Sequence, residues 1–247
     1  MILQRLPDSR YSTVAREWAG QAAVLIGGGP SLTFEQVELV RVAHAAGRVR
    51  CIAVNDAYLW APWADVLYAA DATWHNEHAK GTPKPMLRLS ADQVREKFAA
   101  FAGQKCSIQS QVGNIKDDAT HILRNARTDP NGVGIHADGL SLEPGALITG
   151  SNSGWQALNL TAQAGANPII LLGYDGQPGK DGRSHWSGGH AHEVTTQEAY
   201  AAYRRSFSAA ETALKMAGIQ VINSSPGSAI GAFPKLELEE ALQLVEA

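Results

Sequence analysis

The chain has 247 residues, two cysteines and a formal net charge of −3, which is enough length for one large α/β domain over residues 1–247. This weak negative charge gives no basic field for a nucleic-acid backbone, and no apolar run approaches the roughly 18 residues of a membrane span. Cys51 and Cys106 form neither a C-x-x-C pair nor a disulfide framework, so we expect a protein of the reducing cytoplasm.

The first predicted core element is a buried strand over residues 23–26, followed by three glycines, a proline and a serine. Consecutive glycines allow positive φ and a close approach of the backbone to a ligand, and a helix beginning near Pro30 would direct its N–H groups at an anion. No Lys-Ser/Thr pair follows as in a Walker A loop, and Leu32 replaces the third glycine of the dinucleotide fingerprint. The loop is either a tight βα turn or a nucleotide-binding loop formed by Gly27, Gly28, Gly29, Pro30 and Ser31.

Strand and helix patterns alternate along the rest of the chain. Short aliphatic runs predict further buried strands over residues 50–54, 66–70, 168–172 and 220–222. Apolar residues at helical spacing predict helices over residues 33–46, 153–164 and 196–217, the last followed by Gly218 as a C-cap. We therefore predict an α/β fold, Rossmann-like and doubly wound, with a mainly parallel sheet of about six or seven strands.

Residues 81–149 show a less regular pattern, rich in turn residues from Asp129 to Gly139. They are expected to form an irregular insertion in the single domain, as a flap or small subregion over the site or as a plain surface excursion.

Polar residues follow the predicted strands at the edge of the sheet where ligands bind in open parallel sheets. Asn55 and Asp71 follow the second and third strands, and Asp175 follows the fourth, where it could accept ribose hydroxyls, hold a metal or cap a turn. Thr149, Gly150, Ser151 and Ser153 precede a predicted helix. They predict a second anion or ribose cradle, although Ser151 or Ser153 could simply cap that helix.

Three histidines, His185, His190 and His192, give the densest group of titratable side chains. An imidazole can act as a general base near neutral pH or bind a metal. Their spacing matches no standard metal motif, so we predict no metal site and take His185 as the candidate base. The alternative is a loop in which these histidines have no specific role.

Four segments taken together resemble a known family. Their order and spacing are similar to those of the bacterial CMP-sialic-acid-dependent sialyltransferases and of motility-associated glycosyltransferase-like proteins, a group related to 6-hydroxymethylpterin diphosphokinases. Many similar sequences belong to phages or prophages, so the resemblance also implies a phage or prophage protein. The segments are Gly28-Gly-Pro-Ser-Leu32, Ala53-Val-Asn55, Ile148-Thr-Gly-Ser-Asn-Ser-Gly154 and Ile170-Leu-Leu-Gly-Tyr-Asp175.

The resemblance implies roles for particular residues. A cytidine nucleotide would be surrounded by Gly28, Gly29, Ser31, Asn55, Thr149, Gly150 and Ser151, and His185 would be the general base on the acceptor hydroxyl. The family's phosphate-binding tyrosines after the aspartate are missing from residues 176–180. Tyr174, Lys180 or Arg183 could replace them.

The sequence thus predicts a glycosyltransferase that uses a nucleotide-activated sugar donor, such as a CMP-sugar, with His185 and Asp175 as catalytic residues. One alternative is pyrophosphoryl transfer from ATP, with Mg²⁺ held by carboxylates such as Asp71 and Asp175. Another is a phage accessory protein that binds a nucleotide without catalysis. The expected partner is a small-molecule nucleotide donor, and the acceptor and a homo-oligomeric state are left open.

Overall fold

The computed structural model of the protein describes residues 1–109, 115–130, 134–188 and 195–245. Strands β1 (Leu3–Arg5) and β2 (Ser12–Val14) form a small antiparallel ribbon. All other strands belong to one sheet, and they are β3 (Ala22–Ile26), β4 (Val49–Val54), β5 (Val66–Tyr68), β6 (Gln104–Ile108), β7 (His121–Asn125), β8 (Ala146–Leu147), β9 (Ile169–Leu172) and β10 (Val221–Asn223).

The eight strands are parallel and lie in the order β10-β9-β3-β4-β5-β6-β7-β8. From β3 the chain builds the sheet in one direction as far as β8, and then returns to add β9 and β10 on the other side of β3. The strand order therefore reverses between β3 and β9, which is the topological switch point of a doubly wound sheet.

Helices cover both faces of this sheet. They are α1 (Phe34–Ala45), α2 (Ala72–Lys80), α3 (Ala91–Ala99), α4 (Ser153–Ala164), α5 (Gln197–Met216) and α6 (Leu238–Gln243), with 3-10 turns at Asn55–Leu59 and Pro85–Leu87. Residues of α4 and α5 form one core with Leu25 and Leu171, whereas residues of α1 and α6 form the other with Ile26 and Leu172. Successive residues of each strand thus face opposite cores, as the period of a strand requires.

The predicted fold class is confirmed, since the sheet is parallel, Rossmann-like and flanked by helices on both faces. Helix α4 has the predicted bounds, α1 and α5 lie within one residue of theirs, and Gly218 follows α5 with a φ of +70°. The sheet has eight strands rather than six or seven.

The main difference lies in residues 81–149, which were expected to be irregular. This region contributes α3 and the strands β6, β7 and β8 to the main sheet. Its sequence hides these strands because polar residues such as Gln104, Lys105 and Arg124 interrupt the apolar pattern. Helices that could cross a membrane are absent from the part of the chain that the structure describes.

Candidate functional site

The main cleft of the protein lies beyond the carboxyl ends of β3, β4 and β9, at the switch point, and has a volume of about 780 Å³. It brings together most of the residues predicted from separate parts of the sequence. The predicted residues that line it are Gly27, Gly28, Gly29, Pro30, Asn55, Asp71, Ser151, Ser153, Asp175 and His185. Ser31, Thr149 and Gly150 are the predicted site residues that do not line this cleft.

The glycine loop packs against the turn that follows β9. A Cβ atom at Gly27 would lie 2.6 Å from the carbonyl oxygen of Gly173, and one at Gly29 would overlap the carboxylate of Asp175. None of Gly27, Gly28 and Gly29 has a positive φ, so that part of the prediction is wrong. Gly27 and Gly29 are needed because two backbone turns meet here with no space for their side chains, whereas a Cβ at Gly28 would meet only the side chain of His185.

Pro30 and Ser31 do not form the N-terminus of the following helix, so they cannot direct its N–H groups at an anion as expected. Helix α1 begins at Phe34, and a capping box formed by Thr33 and Gln36 satisfies N–H groups of its first turn. The backbone N–H of Ser31 instead points to the Asp175 carboxylate, with an N···O distance of 3.4 Å. The glycine loop therefore offers no helix N-terminus to an anion.

Asp175 forms part of the cleft although only 6% of its surface is exposed. Burial disfavours the charged carboxylate and raises the pKa of Asp175 above its ordinary value, while the hydrogen bonds from Ser31 act in the opposite direction. A buried carboxylate whose pKa is raised in this way is suited to binding hydroxyl groups or holding a proton.

His185 lies directly over the glycine loop. Its Nδ1 is 3.2 Å from the carbonyl oxygen of Gly28, and the N–H of Trp186 donates to the same oxygen at 3.2 Å. Because a carbonyl oxygen can only accept, Nδ1 carries the proton and the lone pair of the neutral ring is on Nε2. The segment is held in place further by Trp186, whose ring stacks on that of Trp60 with centroids 3.6 Å apart.

A buried cluster of charged and polar side chains around Asp56, the Asp56 cluster, contacts residues 185–187, which we call the histidine segment. Asp56 accepts hydrogen bonds from Lys84 Nζ (2.7 Å), Ser187 Oγ (2.9 Å), Trp74 Nε1 (3.1 Å) and His78 Nε2 (3.2 Å). These cationic and polar donors keep the pKa of Asp56 far below its ordinary value despite its burial. Ser187 thereby connects the cluster to His185, two residues away.

The sequence analysis missed the role of this cluster. Asp56 stands next to Asn55 after a predicted strand, but Lys84 and Ser187 lie in segments with no regular pattern. A lysine and a serine in turn-rich stretches occur in solvated loops as well as in buried ion pairs. The sequence therefore gives no sign that these two residues meet Asp56.

The start of helix α4 forms the opposite side of the cleft. The side chain of Asn152 caps the helix by accepting from the N–H of Trp155 at 2.7 Å, so the cap is Asn152 rather than Ser151 or Ser153. Ser153 Oγ accepts from the N–H of Ala70 at 3.2 Å. Ser151 has a left-handed φ of +63° and its Oγ lies 2.8 Å from Nε2 of His136.

Thr149 and Gly150 lie beside the cleft. The Thr149 hydroxyl accepts from the N–H of Ala137 at 3.0 Å, and Thr149 lines a neighbouring cavity of about 460 Å³. Gly150 has a φ of +50°, and a Cβ there would overlap the ring of Trp155. Both residues shape the approach to α4, and neither reaches the cleft that contains Asp175.

Two further predicted residues, Asn55 and Asp71, stand at the ends of β4 and β5. Asn55 has a φ of +52°, a conformation that asparagine tolerates better than most residues. Asp71 is exposed, and its side chain makes no capping hydrogen bond to α2. The strands before Asp71 and Asp175 are three positions apart in the sheet, about 14 Å at a spacing of about 4.8 Å per strand.

Within residues 1–109, 115–130, 134–188 and 195–245, no group of three His, Cys, Asp or Glu side chains is placed to hold a metal ion. His190 and His192, the other members of the predicted histidine group, lie outside the described residues.

Helix α5 contributes residues that the sequence analysis did not assign to the site. Thr195, Thr196, Ala199, Tyr200 and Tyr203 line the cleft beside the start of α4. The helical spacing of residues 196–217 indicates packing against the sheet and carries no sign that the first turns of α5 face a ligand. Tyr174 is buried and donates to the carbonyl oxygen of Gly154 at 3.2 Å.

No protein-family model matches this chain, and no curated protein is significantly similar to it. The chain is similar in structure to a short-chain dehydrogenase/reductase from Serratia marcescens, with 13% sequence identity and a TM-score of 0.26. That similarity covers 93% of this chain and 90% of the other. A similarity this low carries no argument about function, and the fold class follows from the order and direction of the strands.

Proposed function

We propose that the protein is a transferase that binds a nucleotide-activated sugar in the cleft at the switch point and passes the sugar to an acceptor hydroxyl. The observation that carries this proposal is the meeting of His185, Asp175, Asn55 and the start of α4 in one cleft. The resemblance to CMP-sialic-acid-dependent sialyltransferases, noted on the same segments, supports a CMP-sugar as the donor.

The charge of the cleft favours a donor with few phosphates. Asp71 and Asp175 line it, and none of its described lining residues is a lysine or an arginine. The phosphate of a nucleoside monophosphate sugar brings one negative charge, whereas the triphosphate of ATP brings about four, and a cleft of this charge repels the more anionic ligand. Pyrophosphoryl transfer from ATP is the less suitable reaction for this reason.

In the proposed reaction His185 acts on the acceptor. Its Nδ1–H is fixed on the Gly28 carbonyl, so Nε2 takes the proton from the acceptor hydroxyl as that oxygen attacks the anomeric carbon. The bond from this carbon to the phosphate oxygen breaks, and the nucleotide leaves with the electron pair. Asp175 orients hydroxyl groups of the donor or acceptor, and N–H groups at the helix starts stabilise the departing phosphate.

The test is a thermal-shift panel with CMP, CDP, UDP, GDP, ATP and their sugar conjugates, since a ligand that binds only the folded state raises the unfolding midpoint. We expect CMP or a CMP-sugar to give the largest shift and ATP a small one, with or without Mg²⁺. Incubation of the protein with the selected donor should then release free nucleotide when an acceptor is present. A large shift with ATP only in the presence of Mg²⁺ would favour the pyrophosphoryl reaction. Nucleotide binding without turnover of any donor would favour a non-catalytic accessory protein.

A further inference from the structure

The starts of helices α4 and α5 face the same cleft. Helices that connect parallel strands run antiparallel to them, so their N-termini lie at the carboxyl edge of the sheet. Residues 151–154 at the start of α4 and Thr195, Thr196 and Ala199 at the start of α5 all line the cleft. The helices are in contact, since Trp155 of α4 packs edge-on against Phe207 of α5 with centroids 5.5 Å apart.

Both helices are capped in a way that leaves donors at their first residues. In α4 the cap Asn152 takes the N–H of Trp155, and in α5 the cap Thr196 takes the N–H of Ala199 at 3.2 Å. The N–H groups that precede these, on Ser153, Gly154 and Gln197, have no acceptor within their helices. Such groups, together with the helix dipole, favour an anion.

A second and independent observation lies between these helix starts. Tyr200, in the first turn of α5, lines the cleft and is 5% exposed, and its hydroxyl is buried with no hydrogen-bond partner among the described residues. An unpaired buried hydroxyl destabilises the free protein, and a ligand bound in this cleft would supply the missing partner. Glu198, the acidic residue of the same turn, is exposed and does not line the cleft.

We propose that the starts of α4 and α5, with the hydroxyl of Tyr200 as a donor, form an oxyanion subsite that binds the phosphate of the ligand. The subsite thus lies on the helices and not on the glycine loop, where the Asp175 carboxylate packs against Gly29 and would repel a phosphate. The assignment of this phosphate to a nucleotide rests on the proposed function. The subsite itself requires only an oxyanion.

The experiment compares wild type, Tyr200→Phe and the control Tyr11→Phe, which removes a hydroxyl that accepts from Arg10 on the surface. Affinities for CMP, cytidine and inorganic phosphate are measured by calorimetry at low salt, and the unfolding midpoint of each free protein is measured in parallel. We expect wild type to bind CMP at least about tenfold more tightly than cytidine. Tyr200→Phe should reduce this ratio about five- to tenfold, weaken phosphate binding, and leave the midpoint of the free protein equal or higher.

The outcomes separate the two proposals. If CMP binds and Tyr200→Phe leaves the ratio of CMP to cytidine affinity unchanged, or lowers both affinities equally, the subsite is wrong and the nucleotide site stands. If no nucleotide binds but inorganic phosphate does, and Tyr200→Phe weakens it, the subsite stands and the proposed function fails. A lower midpoint of free Tyr200→Phe with unchanged affinities would show that the hydroxyl is structural and would overturn the subsite, as would a failure of wild type to bind phosphate and CMP alike.

Discussion

The two sides of the cleft are built in different ways. One side, the glycine wall, consists of residues 27–29 and 173–175 with His185 above them, and its atoms are fixed by close backbone packing. The other side, the helix wall, consists of residues 151–154 with Thr195, Thr196, Ala199, Tyr200 and Tyr203, and it presents hydroxyl and N–H groups. Under the proposed function, the glycine wall carries the acid and base groups and the helix wall carries the donors to the phosphate.

This difference reverses the ordinary interpretation of a glycine-rich loop. Glycines after a first strand suggest a phosphate loop, yet here their lack of side chains makes room for Gly173 and Asp175. A carboxylate beside the loop opposes the binding of a phosphate, whereas two helix starts across the cleft favour it. Substitutions on each wall can therefore test the proposed chemistry and the proposed phosphate binding separately.

The largest effect is expected at His185. His185→Ala should lower turnover by about 10²–10⁴-fold while leaving nucleotide affinity nearly unchanged, because a general base acts in the transition state and the phosphate is held on the helix wall. Steady-state rates and calorimetric affinities for the donor identified in the ligand panel provide the measurement. His44→Ala is the control, since His44 is in the last turn of α1, at the opposite edge of the sheet. Unchanged turnover in His185→Ala would show that His185 is not the general base.

The next largest effect concerns the Asp56 cluster. Asp56→Ala leaves the Lys84 ammonium buried without its carboxylate, and we expect a loss of about 3–5 kcal/mol in the free energy of unfolding. Ser187→Ala removes one hydrogen bond and keeps the ion pair, so its loss should be about 1 kcal/mol. Urea denaturation measures both. Equal losses in the two variants would contradict the account of a charge centre that holds the histidine segment through a single hydroxyl.

A smaller effect separates the glycines from one another. Gly29→Ala places a methyl group against the Asp175 carboxylate and the Gly173 carbonyl, and it should destabilise the protein by about 1–3 kcal/mol. Gly28→Ala is the matched control, because a Cβ there meets only the side chain of His185, at 3.0 Å. Chemical denaturation should rank Gly29→Ala well below Gly28→Ala in stability. The reverse order would show that close packing against Gly173 and Asp175 is not the reason for a glycine at position 29.

The smallest effect on stability is expected for Asp175→Asn. Because burial raises the pKa of Asp175 in the folded protein, the native state binds more protons than the unfolded state between the two pKa values. Wild-type stability therefore falls as the pH rises through this window and stays lower at neutral pH. Asp175→Asn should be more stable than wild type at pH 7, by less than about 1 kcal/mol, with the difference vanishing below about pH 4. A variant less stable than wild type at pH 7 would show that the ionised carboxylate stabilises the glycine wall.

The sequence determined the fold class and the strands around the switch point. Aliphatic runs such as Ala22–Ile26 and Ile169–Leu172 are buried on both faces, so their composition alone identifies them as central parallel strands. The order of strands and helices then places Asn55, Asp175 and Ser153 at one edge of the sheet. The candidate site was located in this way from residues far apart in the chain.

Only the tertiary structure decided how that site is built. Strands β6 and β7 carry polar residues and β8 has only two residues, so their sequence patterns are weak. They become strands because β6 pairs with β5, β7 with β6 and β8 with β7. The hydrogen bond between Ser187 and Asp56 joins residues 131 apart in the sequence, and Tyr200 reaches the cleft from a distant helix. No local sequence pattern records either fact. Sequence periodicity reports which face of an element is buried, whereas charge pairing and an unpaired hydroxyl depend on which elements meet, and that is fixed only when the chain folds.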